Sequence, residues 1–393
     1  MAIDTPARIA VIGAGPIGVE AALYARYLGY DVDIYERHTV GEHMRRWGHV
    51  RLFTPWSANV TPLGLAALQA QDEAWQPPQL DEHPTCGELV ERYVSPLAHS
   101  DLIEDGLHEQ TEVVAVGRPN LLKRELPGEV ARGDELFRLL LRSSDGTERT
   151  AEADVVIDAG GVLGTPNALG QGGILAPGER DGRESIDYGL PDVLGRDRAK
   201  FAGRRVLVVG AGMSAAATLV ALAQLEPKPQ VTWVTRREPS AVRGAIDTIE
   251  NDPLPLRLQL AHAANDLPGS GAVRHYPGCS IDRIARSPSG SVLVKLTGLD
   301  TRELEVDRMI ACVGHRPNVS LFAELQVQLD PCTDAPPSLI TTEPNFYVLG
   351  AKRWGRSPAF TLADGHRDIR DLFAIIGDRA TLDLYATARP NMV

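Results

Sequence analysis

Two stretches of this chain repeat one hydrophobic pattern. In the first, an apolar run in RIAVIGAGPIG (Arg8–Gly18) meets a glycine-rich turn, passes into an apolar-faced stretch, and reaches a second apolar run in DVDIYER (Asp31–Arg37). In the second, RVLVVGAGMSA (Arg205–Ala215) leads through Leu225 to VTWVTRR (Val231–Arg237). Short apolar runs bounded by glycine read as buried strands, and the longer stretch between them reads as a helix. Strand, glycine turn, helix and second strand make a βαβ unit, so the pattern predicts two such units. Val206–Leu225 is a stretch of roughly twenty residues without charge, long enough for a membrane span. It begins as a strand and carries Gly210, Gly212, Ser214 and Gln224, so a buried strand followed by a helix accounts for it and no membrane association is expected.

The remaining pattern supplies connecting elements. Pro62–Glu73 and Thr85–Ser100 read as helices. SSDGT (Ser143–Thr147) is a hairpin signal between LFRLLLR and VVIDAGG, and SPSGS (Ser287–Ser291) is another before SVLVKL. The Gly/Pro-rich passage Gly160–Gly178 reads as a linker. NFYVLGAK (Asn345–Lys352) reads as a late strand, and a helix is expected from about Thr361 to Ile376. VVIDAGG and MIACVG each end a strand in small residues just before a proline-containing loop, which suits two crossings between domains. The expected fold is α/β, with two Rossmann-like dinucleotide-binding domains and the second inserted into the first. The expected boundaries are 1–166 plus 319–393 for one domain and 167–318 for the other.

Composition narrows the partners. The chain has 393 residues, of which 43% are hydrophobic and 23% charged, ordinary values for a globular protein. The balance of 40 Lys+Arg against 52 Asp+Glu leaves a net charge of −12 and disfavours nucleic-acid binding. The 4 cysteines (Cys86, Cys279, Cys312, Cys332) form no C-x-x-C pair, so neither a metal knuckle nor a redox dithiol is visible. No secretory leader pattern opens the chain, and the sparse cysteines suit a reducing cytoplasm. No metal site is expected, since H-E-x-x-H is absent, and the missing G-x-S-x-G removes a serine nucleophile elbow.

The glycine turns carry the chemistry. Gly13 permits the tight turn, Gly15 lets a backbone approach a pyrophosphate, and Gly18 lets helix pack on strand. The unpaired N–H groups of the helix N-terminus face the phosphates. Glu36 stands about 20 residues on, where an acid binds ribose hydroxyls. In the second motif Gly210 and Gly212 repeat the turn, Met213 and Ser214 open the helix, and Ala215 takes the packing role. Here Arg236 and Arg237 replace the acid, and guanidinium forks suit a 2′-phosphate. One site ending in an acid and one in arginines points to FAD first and NADPH second. The bland alternatives are a glycine turn that only packs and a surface arginine pair.

At these residues the chain resembles the two-dinucleotide-binding-domain flavoproteins: flavin-containing and N-hydroxylating monooxygenases and thioredoxin reductases. GAGPIGVE with YER matches their FAD fingerprint and GAGMSA with TRR their NADPH fingerprint. WGHVRLFTPW, HPTCGELVERYVSPLA and GAKRWGRSPAFTLADGHRDIR resemble a bacterial group of monooxygenase-like flavoproteins, some accompanying arsenic-resistance genes. The resemblance implies FAD contacts at Arg37, Gly41, Met44, Trp47, Thr54 and Val113, at the strand ends Gly160 and Gly350, and at the helix start Phe360–Thr361. It implies an NADPH-side strand end at Gly314. Two departures stand out. The thioredoxin-reductase C-x-x-C is missing, and RESIDY replaces the Baeyer–Villiger signature, with Glu184 roughly at its histidine.

Three of the five tryptophans, Trp47, Trp56 and Trp354, fall in loops that offer an aromatic lining, or else ordinary loop core. His49 and His366 are candidate proton shuttles against a structural default, and Arg353 is a candidate clamp for a substrate carboxylate. The expected function is an FAD- and NADPH-dependent monooxygenase. It would pass one oxygen atom of O2, through a C4a-(hydro)peroxyflavin, to a soft nucleophile (N, S or As) of a small molecule. The alternatives are a flavin reductase passing electrons to a small acceptor and a non-enzymatic nucleotide-bound sensor.

Overall fold

The computed structural model describes residues 3–239, 244–288, 290–329 and 338–388. Residue 289, inside the SPSGS signal, and Cys332 lie outside that set. The first stretch holds β1 (Arg8–Ile12), α1 (Pro16–Tyr27), β2 (Asp31–Tyr35), α2 (Glu42–Arg46), α3 (Pro62–Gln71) and α4 (Cys86–Leu89). A π-helical stretch, Val90–Val94, runs on into α5 (Ser95–Ala98). Then come β3 (Leu107–His108), β4 (Thr111–Gly117), β5 (Phe137–Ser143), β6 (Glu148–Ala153) and β7 (Val155–Asp158). The middle stretch holds β8 (Ile186–Tyr188), α6 (Arg198–Phe201), β9 (Arg205–Val209), α7 (Met213–Gln224), β10 (Gln230–Val234) and α8 (Pro255–Asp266). It continues with β11 (Val273–Tyr276), β12 (Cys279–Arg286), β13 (Val292–Gly298), β14 (Arg302–Val306) and β15 (Arg308–Ala311). The last stretch adds β16 (Phe346–Val348), α9 (Leu362–Ile376) and α10 (Leu384–Thr387).

The chain forms two compact units, residues 1–165 with 316–393 and residues 166–315. In the first, a parallel sheet runs in the order β16-β7-β1-β2-β3. In the second, the order is β8-β15-β9-β10-β11. Each unit adds a three-stranded antiparallel sheet, β4-β5-β6 or β12-β13-β14. The two units therefore share one plan, strand for strand.

Alternation along each central strand explains the layering. Ile9 and Val11 of β1 and Val155 and Ile157 of β7 join a helical core with Leu23 of α1 and Ile369, Leu372 and Phe373 of α9. Ala10, Ile12 and Val156 face the other way, against Phe137, Leu139 and Leu141 of β5. Unit 2 repeats this. Val206 and Val208 meet Leu219 and Leu222 of α7, while Leu207 and Val209 meet Val292, Val294 and Leu296 of β13. Strands covered on both faces read as unbroken apolar runs, which is why both motifs were visible.

The LFRLLLR hairpin closes differently from the sequence expectation. Its partner is β6, ERTAEA, paired from Arg142↔Glu148 to Phe137↔Ala153, whereas VVID enters the parallel sheet beside β1. The mostly exposed β6 has no apolar run to betray it. The helix expected over Thr85–Ser100 is present but interrupted by the π turn, and α8 had no clear apolar stripe in the sequence.

In unit 1 a buried cluster ties the β4–β5 connection to the segment before β16. Glu343 accepts from Arg118 Nε at 2.6 Å and from Arg132 Nη2 at 2.9 Å, with all three side chains shielded from solvent.

Candidate cofactor-binding sites

The first glycine turn connects β1 to α1. Gly13 has φ +96°, the left-handed side that favours glycine, and its N–H donates to Tyr35 O. A Cβ there would lie 3.0 Å from Gly160 Cα, so the ends of β1 and β7 meet backbone to backbone. A Cβ on Gly18 would overlap the Gly13 carbonyl oxygen, so helix and turn require that glycine. Gly15 is different: its φ is −77° and a Cβ would meet nothing within 4 Å. It opens α1 with no side-chain cap, Pro16 follows, and the first turn holds no acid. The first intrahelical bond is Val19 N–H to Gly15 O, which leaves the Ile17 and Gly18 N–H groups turned out of the helix start. Glu36 closes the turn from β2. Its Oε2 accepts from Ala14 N–H at 2.9 Å and its Oε1 from His38 N–H at 2.8 Å, which fixes the carboxylate at the mouth.

The second turn repeats this in unit 2. Gly210 has φ +131°, its N–H donates to Val234 O, and a Cβ would overlap Cys312 O. Gly212 opens α7 uncapped with φ −97°, nothing stands within 4 Å of where its Cβ would be, and the first turn is free of acids. Ala215 is buried against the sheet, where a third glycine would pack, and Met213 and Ser214 occupy the outward first turn. An uncapped helix N-terminus beside an open glycine has the form of an anion cradle, and α1 and α7 each present one.

The end of β10 was only partly legible in the sequence. Arg236 and Arg237 are exposed, as expected, but a buried relay beneath them was missed. Trp233 Nε1 donates to Gly210 O at 2.8 Å, and the His275 ring stacks on Trp233 at 4.2 Å. Burial pushes His275 down to about 4, so the ring is neutral. The network assigns its Nε2–H to Thr235 Oγ1 at 2.9 Å, and that hydroxyl donates on to Arg237 O. The bend carrying both arginines is thus tied to the glycine turn. No sequence signal pointed to it: the pairing of β10 with β11, which aligns Trp233 with His275, appears only in the folded sheet.

Around the first cradle, several other predicted residues converge. Gly41, with φ +68°, opens α2, and its N–H donates to Ala14 O. Met44 packs on the helical core, and Trp47 caps the end of α2. Arg37 lies 3.7 Å from Glu112, and Val113 is buried on β4 beside a bulge. Gly160 N–H donates to Asp158 Oδ1, and Asp158 Oδ2 takes Lys352 Nζ at 2.5 Å in a buried pair beneath the turn. Gly350 has φ +68°, and a Cβ there would stand 3.6 Å from Ile17. In α9, Thr361 and Asp364 form a capping box, and Gly365 leaves room for Ile17 and Phe360. The first turns of α1 and α9 therefore pack side by side at Ile17. Gly314 in unit 2 has φ +79°, and its carbonyl accepts from Asn167 N–H.

Other predicted residues turn inward. The Thr54 hydroxyl donates to Asn59 Oδ1 at 2.9 Å. Trp56 and Trp354 are buried, which is the loop-core alternative for both. The Arg353 guanidinium pairs with the buried Asp368, so its fork is taken up within the protein. Burial pushes His366 down to about 4, leaving a neutral ring near pH 7, while His49 is exposed. Cys86, Cys279 and Cys312 are buried on separate elements, and burial pushes the Cys86 and Cys312 thiols up to about 11 and about 12. Among the described residues no group of His, Cys, Asp and Glu is arranged to hold a metal ion. Nor, among them, is any helix long and apolar enough to cross a membrane.

The repeated sheet order and paired glycine turns define the class, a two-dinucleotide-binding-domain flavoprotein of α/β fold. The family model for pyridine nucleotide-disulphide oxidoreductases matches residues 110–358, and the chain belongs to that family. No curated protein matches it by sequence. Among solved structures it is similar to the bacillithiol disulfide reductase of Bacillus cereus, at 17% identity and TM-score 0.70 over 95% of this chain and 99% of that one. The cadaverine monooxygenase of desferrioxamine biosynthesis from Erwinia amylovora gives 15% identity and TM-score 0.67 over 96% and 95%. The thioredoxin reductase of T. acidophilum gives 18% and 0.60 over 95% and 98%. These likenesses concern the fold.

Proposed function

We propose that the chain is an FAD- and NADPH-dependent monooxygenase acting on a soft nucleophile (N, S or As) of a small molecule. The observation that carries the cofactor reading is the duplicated cradle, in which Gly15 and Gly212 each leave open space at an uncapped, acid-free helix start. Residues 1–166 with 319–393 are the FAD domain in this reading and 167–318 the NADPH domain. At the first cradle, the α1 N–H groups hold the FAD pyrophosphate and Glu36 takes the adenosine ribose. Arg37, Gly41, Met44, Trp47, Thr54, Val113, Gly160, Gly350, Phe360 and Thr361 surround the rest. The Leu362 and Ala363 N–H groups at the start of α9 favour negative charge on the flavin ring. At the second cradle, Met213, Ser214 and Ala215 hold the NADPH pyrophosphate, Arg236 and Arg237 its 2′-phosphate, and Gly314 lines the strand end. Held by these residues, FAD would supply two-electron redox chemistry between the nicotinamide and O2.

The described cysteines bear only on a relay through a protein dithiol. A protein dithiol relay needs an accessible low-pKa thiol, and the three described cysteines are buried and apart. A second reading, electron transfer to a small acceptor without oxygen insertion, is favoured by the family match. NADPH oxidation, O2 uptake, peroxide release and oxygenated product, measured together across amines, thiols and arsenite, separate the two. Monooxygenation gives O2 and NADPH consumed one for one, with product and little peroxide. Turnover that continues without O2 on a disulphide or quinone, with no oxygenated product, defeats it.

A further inference from the structure

Glu20 lies on α1, four residues after Pro16, so its Cα is about 6 Å along the helix axis from the phosphate-facing first turn. Its side chain is buried, and three elements converge on it. Thr61, the N-cap of α3, donates from Oγ1 to both carboxyl oxygens at 3.2 and 3.1 Å. Tyr93, placed by the π-helical stretch, donates its hydroxyl to Oε1, and Tyr93 OH accepts from Thr61 N–H at 3.1 Å. A Cβ on Gly64 would overlap Tyr93 OH and stand 2.9 Å from Glu20 Oε1, so α3 sits directly on this cluster. π-Helical turns cost regular hydrogen bonds and recur at functional positions.

All the donors to this carboxyl are neutral. The titratable groups facing it are Tyr93 from the π turn and Tyr385 from α10, whose buried hydroxyl has no hydrogen-bond partner. Beyond them stand Tyr24 on α1 itself, which meets Tyr385 edge to face, and Asp383 before α10. From α9, His366 meets the far edge of Tyr385. α3 carries no titratable residue, and Arg92 turns away over the Trp56 ring. Burial in this setting pushes the Glu20 carboxyl up to about 7.

We propose that Glu20 is a proton-linked positioning residue for the first cradle: binding of a dinucleotide pyrophosphate at the start of α1 favours the protonated carboxyl, so cofactor uptake carries a proton with it. This rests on the FAD reading above. Like charges on the order of 10 Å apart, in an effective dielectric of about 20, are worth on the order of tenfold in affinity. The anionic form of Glu20 weakens pyrophosphate binding, so affinity falls as pH rises through the carboxyl's range.

The test is FAD binding to the apoprotein, read by quenching of FAD fluorescence between about pH 6 and about pH 8.5. The wild-type Kd should rise on the order of tenfold across that range, and E20Q should remove most of the rise. Tyr93→Phe, which deletes one donor to the carboxylate, should move the change to higher pH. An infrared difference spectrum of wild type should gain a protonated-carboxyl band on FAD binding above pH 7, and it reports on Glu20 even if E20Q fails to fold. Equal pH dependence in wild type and a folded E20Q, or no carboxyl band, overturns the linkage while leaving FAD binding intact. No FAD binding at any pH overturns the cofactor reading itself.

Discussion

Glu343→Gln puts the buried arginine pair to a direct test. The Glu343 carboxylate is the shared anion of Arg118 and Arg132, and it also accepts from Gln326 N–H at 2.9 Å. Arg118 stands over the Phe137 ring at 3.9 Å, and its fork also reaches Glu135 O and Pro344 O. Arg132 reaches Leu122 O and Glu125 O. The substitution keeps shape and one acceptor but leaves two buried guanidiniums without their counter-charge. Removing one partner of a buried ion cluster costs about 3–5 kcal/mol. In a domain of about 150–250 residues each kcal/mol lowers the midpoint by about 2–4 °C, so unit 1 should melt roughly 6–20 °C lower.

Burial raises the Glu343 pKa, but Gln326 N–H and the two guanidiniums outweigh it, and the net direction is down. A depressed carboxyl gives stability that is present above its unfolded value and lost as pH falls through its folded one. The gap between wild type and variant should therefore be full at neutral pH and close in acid, below the unfolded value of 4.5. Calorimetry or circular dichroism on both proteins measures it. A loss under about 1 kcal/mol at neutral pH, the scale of an exposed pair, would refute the reasoning.

Gly15→Val should leave the fold intact and the melting temperature near that of the wild-type apoprotein, since the added atoms enter open space, while FAD is lost from the purified protein. Gly18→Val, three residues on, should fail to fold stably, because its Cβ overlaps Gly13 O, and soluble expression with bound flavin separates the two. Arg236→Ala with Arg237→Ala should raise KM for NADPH by roughly tenfold or more and leave NADH nearly unchanged, the scale of lost charge-assisted hydrogen bonds. Equal effects on both nucleotides would remove the 2′-phosphate assignment. His275→Phe keeps the stack on Trp233 but drops the bond to Thr235, so it should raise KM for NADPH by a smaller factor at unchanged melting temperature.

What the sequence exposed and what it hid follow from one distinction. Strands covered on both faces, such as Ile9–Ile12 and Val206–Val209, announce themselves as unbroken apolar runs, and the glycines after them fix turn and helix start. Both βαβ units were therefore legible, with tight turns at Gly13 and Gly210. The β6 strand ERTAEA was not, because its sheet leaves it open to solvent and nothing in its composition demands pairing. The inward turn of Arg353 onto Asp368 was hidden for another reason. The pair is fifteen positions apart on different elements, and only the packing of α9 brings them together. Glu20 was hidden because an acid in a mostly apolar helix carries no sign of burial until other elements close over it.

The shared plan of the units narrows what can distinguish their sites. Sheet order, glycine geometry and open first turns are alike in both, so none of these can tell one dinucleotide from another. The difference lies at the end of the second strand, one step from the cradle. In unit 1 that strand ends in Glu36, a carboxylate held by two backbone N–H groups. In unit 2 it ends in Arg236 and Arg237, on a bend held by Trp233, His275 and Thr235. A fixed carboxylate rejects an extra phosphate by like charge, and a pair of guanidiniums on a fixed bend rewards one. In the proposed function, discrimination between the two nucleotides would thus rest on a few charged groups and their anchors on a duplicated scaffold. Exchanging those ends, rather than the glycine turns, is the change that should exchange the preferences.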